Sequence, residues 1–468
     1  MRYVSTRGAA EPLRFDEVLL TGLARDGGLY VPESWPRFSH GDIRALAGLP
    51  YADVALRVMT PFVEGAIETD ALAGIIERAY ARFDHPAVAP LREIGPNQWL
   101  MELFHGPTLS FKDYAMQILG GLFDHVLARR GERVTIVVAT SGDTGSAAIE
   151  ACRDRAAIEI FVLHPKGRVS EVQRRQMTTV AAANVHNIAI EGTFDDCQAL
   201  VKGMFNDPGF RADTRLTGVN SINWARILGQ TVYYFAAAAT LGAPEKEIAF
   251  SVPTGNFGNI YAGYAARAMG LPISHLVLAT NSNDILSRFL ETGALRRGEV
   301  EPTLAPSMDI QVASNFERFL FDLYGRDGSR LAQQMAAFQE TGEITLDDER
   351  LDAAKEIFDG FRLDDAGTVA TIGAVHEETG ELLDPHTAIG VAGARAHRRD
   401  PAVPMVSLAT AHPAKFPEAV ARATGQRPAL PEALADLFER EERLETLAND
   451  LGAVEEYVRA RAPEAKVA

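Results

Sequence analysis

The sequence predicts an α/β fold built on parallel sheets, preceded by a mainly helical N-terminal stretch. From about residue 133 onward, short β-branched runs alternate with helices, the pattern of strands joined by helical crossovers and covered on both faces. Glycine is abundant, at 39 residues, as expected where many strand-to-helix turns bend sharply. The 468 residues, 47% of them hydrophobic, suffice for two to four domains and a large core.

Taken in order, residues 1–92 read as the N-terminal unit. After an extended start, "DIRALAGLPYADVALRVMTPFV" and "TDALAGIIERAYARF" carry apolar residues at helical spacing. The Pro-rich "DHPAVAPLREIGPNQWLMELFHGP" reads as a junction. A core follows over 93–430. Its strands are "RVTIVVAT" (133–140), "AIEIFVLHP" (157–165), "ANVHNIAIEG", "EIAFSVP" (247–253), "ISHLVLATN" and "PMVSLATA". Helices "GSAAIEACRDR", "VSEVQRRQMTTVA", "FDDCQALVKGMFN" and "IYAGYAARAMG" lie between them. Residues 341–365 read as acidic and helical, and 431–468 as a charged, amphipathic helical segment.

Composition excludes several function classes. With 46 Lys+Arg against 63 Asp+Glu, the net charge of −17 is the wrong sign for a nucleic-acid or anionic-membrane partner. The two cysteines, Cys152 and Cys197, are too few for a disulfide framework or a zinc site and fit a reducing cytoplasm. The start has no apolar signal region, and no run approaches the ~18 apolar residues of a membrane span. The 11 histidines show no metal-ligand spacing, and "HEETG" (376–380) is not a zinc motif. No metal is expected.

Three strand ends and one lysine could carry chemistry, since parallel α/β sheets bind ligands where strands end. "ATSGDTGSAA" (139–148) offers hydroxyls and N–H groups at a helix start; the competing reading is a plain turn capped by Ser141 or Thr144. "PTGNFGNIYAG" (253–263) can wrap an anion without any lysine, because N–H groups and the helix dipole supply the positive potential. "SLATAHPAKFP" (407–417) places Thr410 where a buried strand runs out. Lys112 sits in "HGPTLSFKDYAMQ", between Phe111 and Asp113, behind a Gly-Pro-Thr turn. A lysine becomes a nucleophile when burial or cationic neighbours lower its pKa. Such a lysine, together with a phosphate cradle and no metal motif, suggests pyridoxal phosphate held as a Schiff base.

Together "HGPTLSFKD", "TSGDTGSAAI", "NSINWARILGQTVYYF", "PTGNFGNIYAG", "PSMDIQVASNFERFLF", "DPHTAIG" and "LATAHPAKFP" resemble threonine synthases of the long bacterial and fungal type, from about residue 3 to about 420. "YVSTRG" and "RDGGLYVPE" fit the same family. The resemblance implies a fold type II pyridoxal-phosphate enzyme with two parallel-sheet α/β lobes, the smaller spanning roughly 120–215, plus the helical N-terminal domain. It implies conversion of O-phospho-L-homoserine and water to L-threonine and phosphate, by a cytoplasmic monomer or homodimer.

Carried over by residue, Lys112 matches the Schiff-base lysine. Gly255, Asn256, Phe257, Gly258 and Asn259 match the loop that holds the cofactor phosphate, and Thr410 the hydroxyl residue at the pyridine nitrogen. Asn259 departs from relatives with Asp there. Asp143 stands where shorter relatives carry Asn and receives no role. For the substrate carboxylate the candidates are Thr140, Ser141, Gly142 and Thr144. For its phosphate they are Arg226 with Asn220, Ser221 and Asn223, followed by Lys166 and Arg168. A structural salt bridge is the competing role for Arg226. The rival functions are another fold type II lyase or dehydratase and a non-catalytic phosphate-binding homologue.

Overall fold

Three short strands start the chain, and the helices follow. In the computed structural model, which describes residues 1–462, β1 (Arg2–Ser5), β2 (Leu13–Arg14) and β3 (Tyr30–Pro32) form an antiparallel sheet in the order β2-β1-β3. Helices α1 (Phe15–Thr21), α2 (His40–Arg44), α3 (Tyr51–Val63) and α4 (Thr69–Tyr80) complete this region. The apolar spacing that predicts α3 and α4 becomes buried faces, with Val54, Val58 and Phe62 on one and Leu72, Ile75 and Ile76 on the other.

The Pro-rich stretch read as a junction contains a hairpin, β4 (Leu91–Gly95) and β5 (Gln98–Glu102). Pro96 and Asn97 make the turn, and Asn97 takes a φ of 55°, the left-handed region that asparagine tolerates. A domain boundary between 92 and 93 therefore falls inside β4. The hairpin's two short strands are too brief to announce themselves; they form because β5 completes a sheet already present.

Next come α5 (Lys112–Arg130), β6 (Val134–Ala139), α6 (Asp143–Cys152), β7 (Ile158–Pro165), α7 (Glu171–Thr178), β8 (Val185–Glu191), α8 (Phe194–Asn206), α9 (Pro208–Thr214) and β9 (Leu216–Thr217). Then follow α10 (Trp224–Leu241), β10 (Ile248–Pro253), α11 (Gly258–Ala268), β11 (Ile273–Thr280), α12 (Ile285–Thr292), β12 (Ala294–Arg296), α13 (Phe316–Leu323), α14 (Gly328–Thr341) and β13 (Glu343–Thr345). The chain continues through α15 (Asp348–Ile357), β14 (Phe358–Arg362), α16 (Asp365–Thr379), α17 (Pro385–Ala396), β15 (Met405–Ala409), α18 (Pro417–Thr424), β16 (Glu445–Ala448) and α19 (Leu451–Arg459).

Two parallel sheets result. One has five strands in the order β16-β8-β7-β6-β9; the other has six, β14-β11-β10-β15-β5-β4, with only β4 antiparallel. Both α/β sheets and the fold type II architecture are as the sequence reading expects. Strands such as β10 are buried along their whole length, which is why they read as near-continuous apolar runs.

Two segments differ from their helical reading. Residues 341–365 include β13 and β14, and β14 runs parallel to β11 at the edge of the six-stranded sheet. Residues 431–468 include β16, which pairs Glu445 with Ile188 and Ala448 with Glu191 along the edge of β8. Both are edge strands of four or five residues, recruited by an exposed ladder rather than by their own periodicity. Residues 463–468 lie outside the described residues. No helix among those described is long and apolar enough to cross a membrane.

The core is continuous from the N-terminal helices into the sheets. The ring of Trp224, at the start of α10, lies 5.9 Å from the rings of both Tyr3 and Phe62. Burying one such side chain as Phe62 contributes about 1.5–3 kcal/mol. Helix α10 is thereby anchored at one end by the N-terminal region while its body packs on α5. That packing is close: a Cβ on Gly229 would lie 2.8 Å from the Cα of Ala115.

Candidate active site

The turn before α5 is built from its own side chains. Asp113 accepts hydrogen bonds from the Thr108 N–H at 2.8 Å and the Thr108 hydroxyl at 2.7 Å, folding residues 106–113 into a closed loop. Burial pushes the Asp113 carboxyl up to about 6, against the pull of the Thr108 bonds and Lys415. Gly106 has no alternative, since a Cβ there would lie 2.5 Å from the Asp113 side chain. Lys112 is the first residue of α5.

Lys112 is buried, with Nζ 5.0 Å from the centroid of the Phe111 ring. Its ammonium donates to Asp143 Oδ2 at 3.2 Å. Burial lowers its pKa most; Asp143 opposes this, and the nearby charges of Lys415 and Arg226 add to it.

Asp143 opens α6 at the end of β6. The turn before it is not held by Ser141 or Thr144 as a cap: Gly142 occupies the cap position at φ 142°, without any side-chain bond. The Thr140 hydroxyl accepts the N–H groups of Gly142 and Gly145, both at 2.9 Å, and so shapes the loop from below. Ser141 and Thr144 are half-buried. Burial disfavours an ionised Asp143, yet Lys112 and Lys415 hold its carboxyl well below the usual range.

The loop from β10 into α11 fits an anion. Phe257 takes a φ of 62° at the helix cap, its ring buried against Phe316 and Phe358. Among the described residues, the N–H groups from Gly255 to Asn259 donate to no protein acceptor. Buried N–H groups are rarely left so, and a run of them at a helix N-terminus is the arrangement that binds phosphate. Asn259 accepts the hydroxyls of Tyr233 at 2.6 Å and Tyr234 at 3.0 Å, which leaves its buried amide nitrogen as an unpartnered donor. A carboxylate at this position has no such donor to offer. At Gly255 a Cβ would lie 2.7 Å from the carbonyl oxygen of Ser307, which crosses over the loop. Gly255→Ala is expected to weaken retention of pyridoxal phosphate during dialysis, while the fold survives.

Thr410 follows β15, the neighbour of β10, and is buried with its carbonyl accepting the Phe111 N–H at 2.9 Å. Its own N–H donates to Thr387, whose hydroxyl also donates to Asp384. Asp384 orients His386 through Nδ1 at 2.7 Å, and His386 Nε2 accepts the Ser307 N–H at 3.2 Å. The Ser307 hydroxyl reaches Asp143 Oδ2 at 3.4 Å. These bonds close a circuit from Lys112 through Asp143, Ser307, His386, Asp384, Thr387, Thr410 and Phe111. The lysine and Thr410 thus share one bonded circuit, and Ser307, a member of it, also lies against Gly255 of the 255–259 loop.

Arg226 is buried on α10 and, among the described residues, has no carboxylate partner. Among the described residues its side chain makes only a long bond, 3.5 Å, to the Val219 carbonyl, and its Nε makes none. Burial alone lowers its pKa, to about 10. The structural salt bridge is therefore not its role. Asn220 and Ser221 lie half-buried just before α10. Asn223 is different: its side chain caps α10 through Ala225 N at 3.1 Å and ties it to the Leu19 carbonyl at 2.9 Å. It is fully buried and fully engaged, which removes it from the set of ligands. Lys166 is exposed and paired with Glu191 at 3.0 Å, and Arg168 is exposed, so neither belongs to this centre.

Sequence reasoning missed Lys415. Its Nζ lies 2.7 Å from Asp143 Oδ1 and donates to the Thr108 carbonyl at 2.7 Å. Gln173 and Ser307 were missed for the same reason, that each acts on Asp143 rather than standing alone. A lysine inside the mostly apolar "AHPAKFP" was the available signal.

Known proteins are similar to this chain over most of its length. Residues 2–80 match the family described as Threonine synthase N terminus, 84–338 the family Pyridoxal-phosphate dependent enzyme, and 387–458 Threonine synthase, C-terminal. The chain is 59% identical to a threonine synthase of Pseudomonas aeruginosa over 98% of both chains. A crystal structure of a threonine synthase from Brucella melitensis with pyridoxal phosphate bound superposes with a TM-score of 0.96, at 54% identity over 99% of both chains. A yeast threonine synthase structure gives 0.93 at 37% identity over 98% of both. Carrying the N-terminal, catalytic and C-terminal signatures together, the chain belongs to the threonine synthase family of pyridoxal-phosphate-dependent enzymes.

Proposed function

We propose that the chain converts O-phospho-L-homoserine and water to L-threonine and phosphate, with Lys112 as the proton-carrying amine. One observation carries this most: a buried lysine, tied through Asp143 to Ser307, whose carbonyl lies against Gly255 in a run of N–H groups, Gly255–Asn259, that donate to no acceptor among the described residues. Lys112 Nζ would hold pyridoxal phosphate at its aldehyde, the 255–259 N–H groups at its phosphate, and Thr410 at its ring nitrogen. When bound, pyridoxal phosphate supplies an electron sink next to the substrate's Cα.

The residues of the chain do the rest. Of the residues at the start of α6, half-buried Ser141 and Thr144 are suited to the substrate carboxylate, whereas the N–H groups of Thr140 and Gly142 are already spent, on the Leu163 carbonyl and the Thr140 hydroxyl, and shape the loop instead. Arg226, with Asn220 and Ser221, is suited to the phosphate ester; a guanidinium fork orients as well as attracts. Lys112 Nζ takes the proton from Cα and gives it to the departing phosphate, then takes one from Cβ as the Cγ–O bond breaks. The proton from Cβ goes to Cγ, which becomes the methyl group; water adds its hydroxide at Cβ and yields its proton to Lys112, which returns it to Cα. Asp143, 3.2 Å from Nζ, steadies the ammonium formed on each transfer.

Thr410 limits side reactions. A hydroxyl cannot keep a proton on a pyridine nitrogen as a carboxylate can. Thr410→Asp is expected to raise the yield of 2-oxo acid per threonine formed; an unchanged ratio removes that role. The function itself is tested by phosphate release and threonine formation from O-phosphohomoserine, with O-phosphoserine as contrast. Release from O-phosphoserine alone would falsify it.

A further inference from the structure

The centre of the site holds more positive than negative charge. Lys415, from the turn Pro413–Lys415, Arg226 on α10 and Asp143 on α6 all bear on Lys112. Asp113, next on α5, turns its carboxylate to Thr108 instead. His412 is pulled down to about 4, chiefly by burial, and is uncharged at neutral pH. Ser307 and Gln173 are neutral. Among the described residues, Asp143 is therefore the one carboxylate in contact with Lys112.

That carboxylate is not Lys112's alone. Oδ1 receives Lys415 Nζ at 2.7 Å and Gln173 Nε2 at 2.8 Å; Oδ2 receives Lys112 at 3.2 Å and Ser307 at 3.4 Å. Lys415 is fully buried and is also fixed to the Thr108 carbonyl at 2.7 Å, so its ammonium cannot turn elsewhere. A buried ammonium without a counter-ion is strongly disfavoured.

We propose that Lys415 is a positioning residue for the reaction: its ammonium claims Asp143 as counter-ion, and the carboxylate so held leaves Lys112 able to shed its proton and act as an amine. This rests on the reading above that Lys112 is the reacting amine. With Lys415 uncharged, one carboxylate would face one ammonium, and Lys112 would hold its proton more tightly. Below its titration point, the uncharged fraction of an amine falls tenfold for each unit its pKa rises.

The test uses cofactor-free protein and follows pyridoxal phosphate uptake by visible absorbance and by borohydride fixation, across neutral and alkaline pH. For Lys415→Met, uptake is expected to be roughly tenfold slower than wild type at neutral pH, with the gap closing as pH rises. The acid limb of kcat/KM moves to higher pH in parallel, and Lys415→Arg keeps the wild-type shape. Equal slowing at every pH, or none, overturns the proposal. Should the Met variant not fold, Lys415→Gln, which keeps polar contacts without the charge, is read in the same way. Wild-type threonine formation is scored separately: its absence overturns the function, whereas its presence with an unmoved variant profile overturns only the role of Lys415.

Discussion

Lys112→Ala is expected to lower threonine formation by at least about 10⁴-fold, because it removes the group that moves every proton in the proposed sequence. Borohydride should no longer fix pyridoxal phosphate to the chain. Binding itself should survive in weakened form, since the N–H groups of Gly255–Asn259 do not depend on the lysine. The fold should survive too. Removing one partner of a buried ion pair usually costs about 3–5 kcal/mol through the charge left behind. Here Asp143 keeps Lys415 at 2.7 Å and Gln173 at 2.8 Å, so no carboxylate is stranded. Phosphate release is the measurement, with thermal unfolding as the control. A residual rate within about a hundredfold of wild type would remove Lys112 from the chemistry.

What could be read before folding follows from how local each signal is. β6, β7, β8, β10, β11 and β15 were legible because each carries a mostly apolar run, as buried parallel strands do. β14 and β16 were not, because an edge strand owes its state to the ladder beside it. The same division holds in the site. Lys112, the 255–259 loop and Thr410 sit in motifs whose turn chemistry is local. The sharing of Asp143 among Lys112, Lys415 and Gln173 joins residues 31, 272 and 30 positions apart in the chain (112 to 143, 143 to 415, 143 to 173), and no local pattern encodes it. Asn223 shows the converse error. Its motif suggests a ligand, but an asparagine directly before a helix is also a cap, and the cap is what the fold uses.

Arg226→Met should separate function from stability. An interaction between a guanidinium and an anion contributes about 1.5–3 kcal/mol. Its loss corresponds to a KM for O-phosphohomoserine raised about ten- to a hundredfold. Inhibition by inorganic phosphate should weaken by a similar factor, which a purely structural arginine would not produce. Stability should move the other way. No carboxylate among the described residues meets the buried Arg226, so the folded protein bears its desolvation uncompensated until an anion arrives. An apolar side chain of similar length removes that burden and leaves only the long bond to Val219 unmade. The expected result is an equal or higher unfolding temperature without ligand, and a smaller rise on adding phosphate. A variant that unfolds earlier yet binds substrate as before would show that Arg226 serves the fold. Three features make the functional outcome the expected one: burial, no counter-ion, and a charge felt at Lys112.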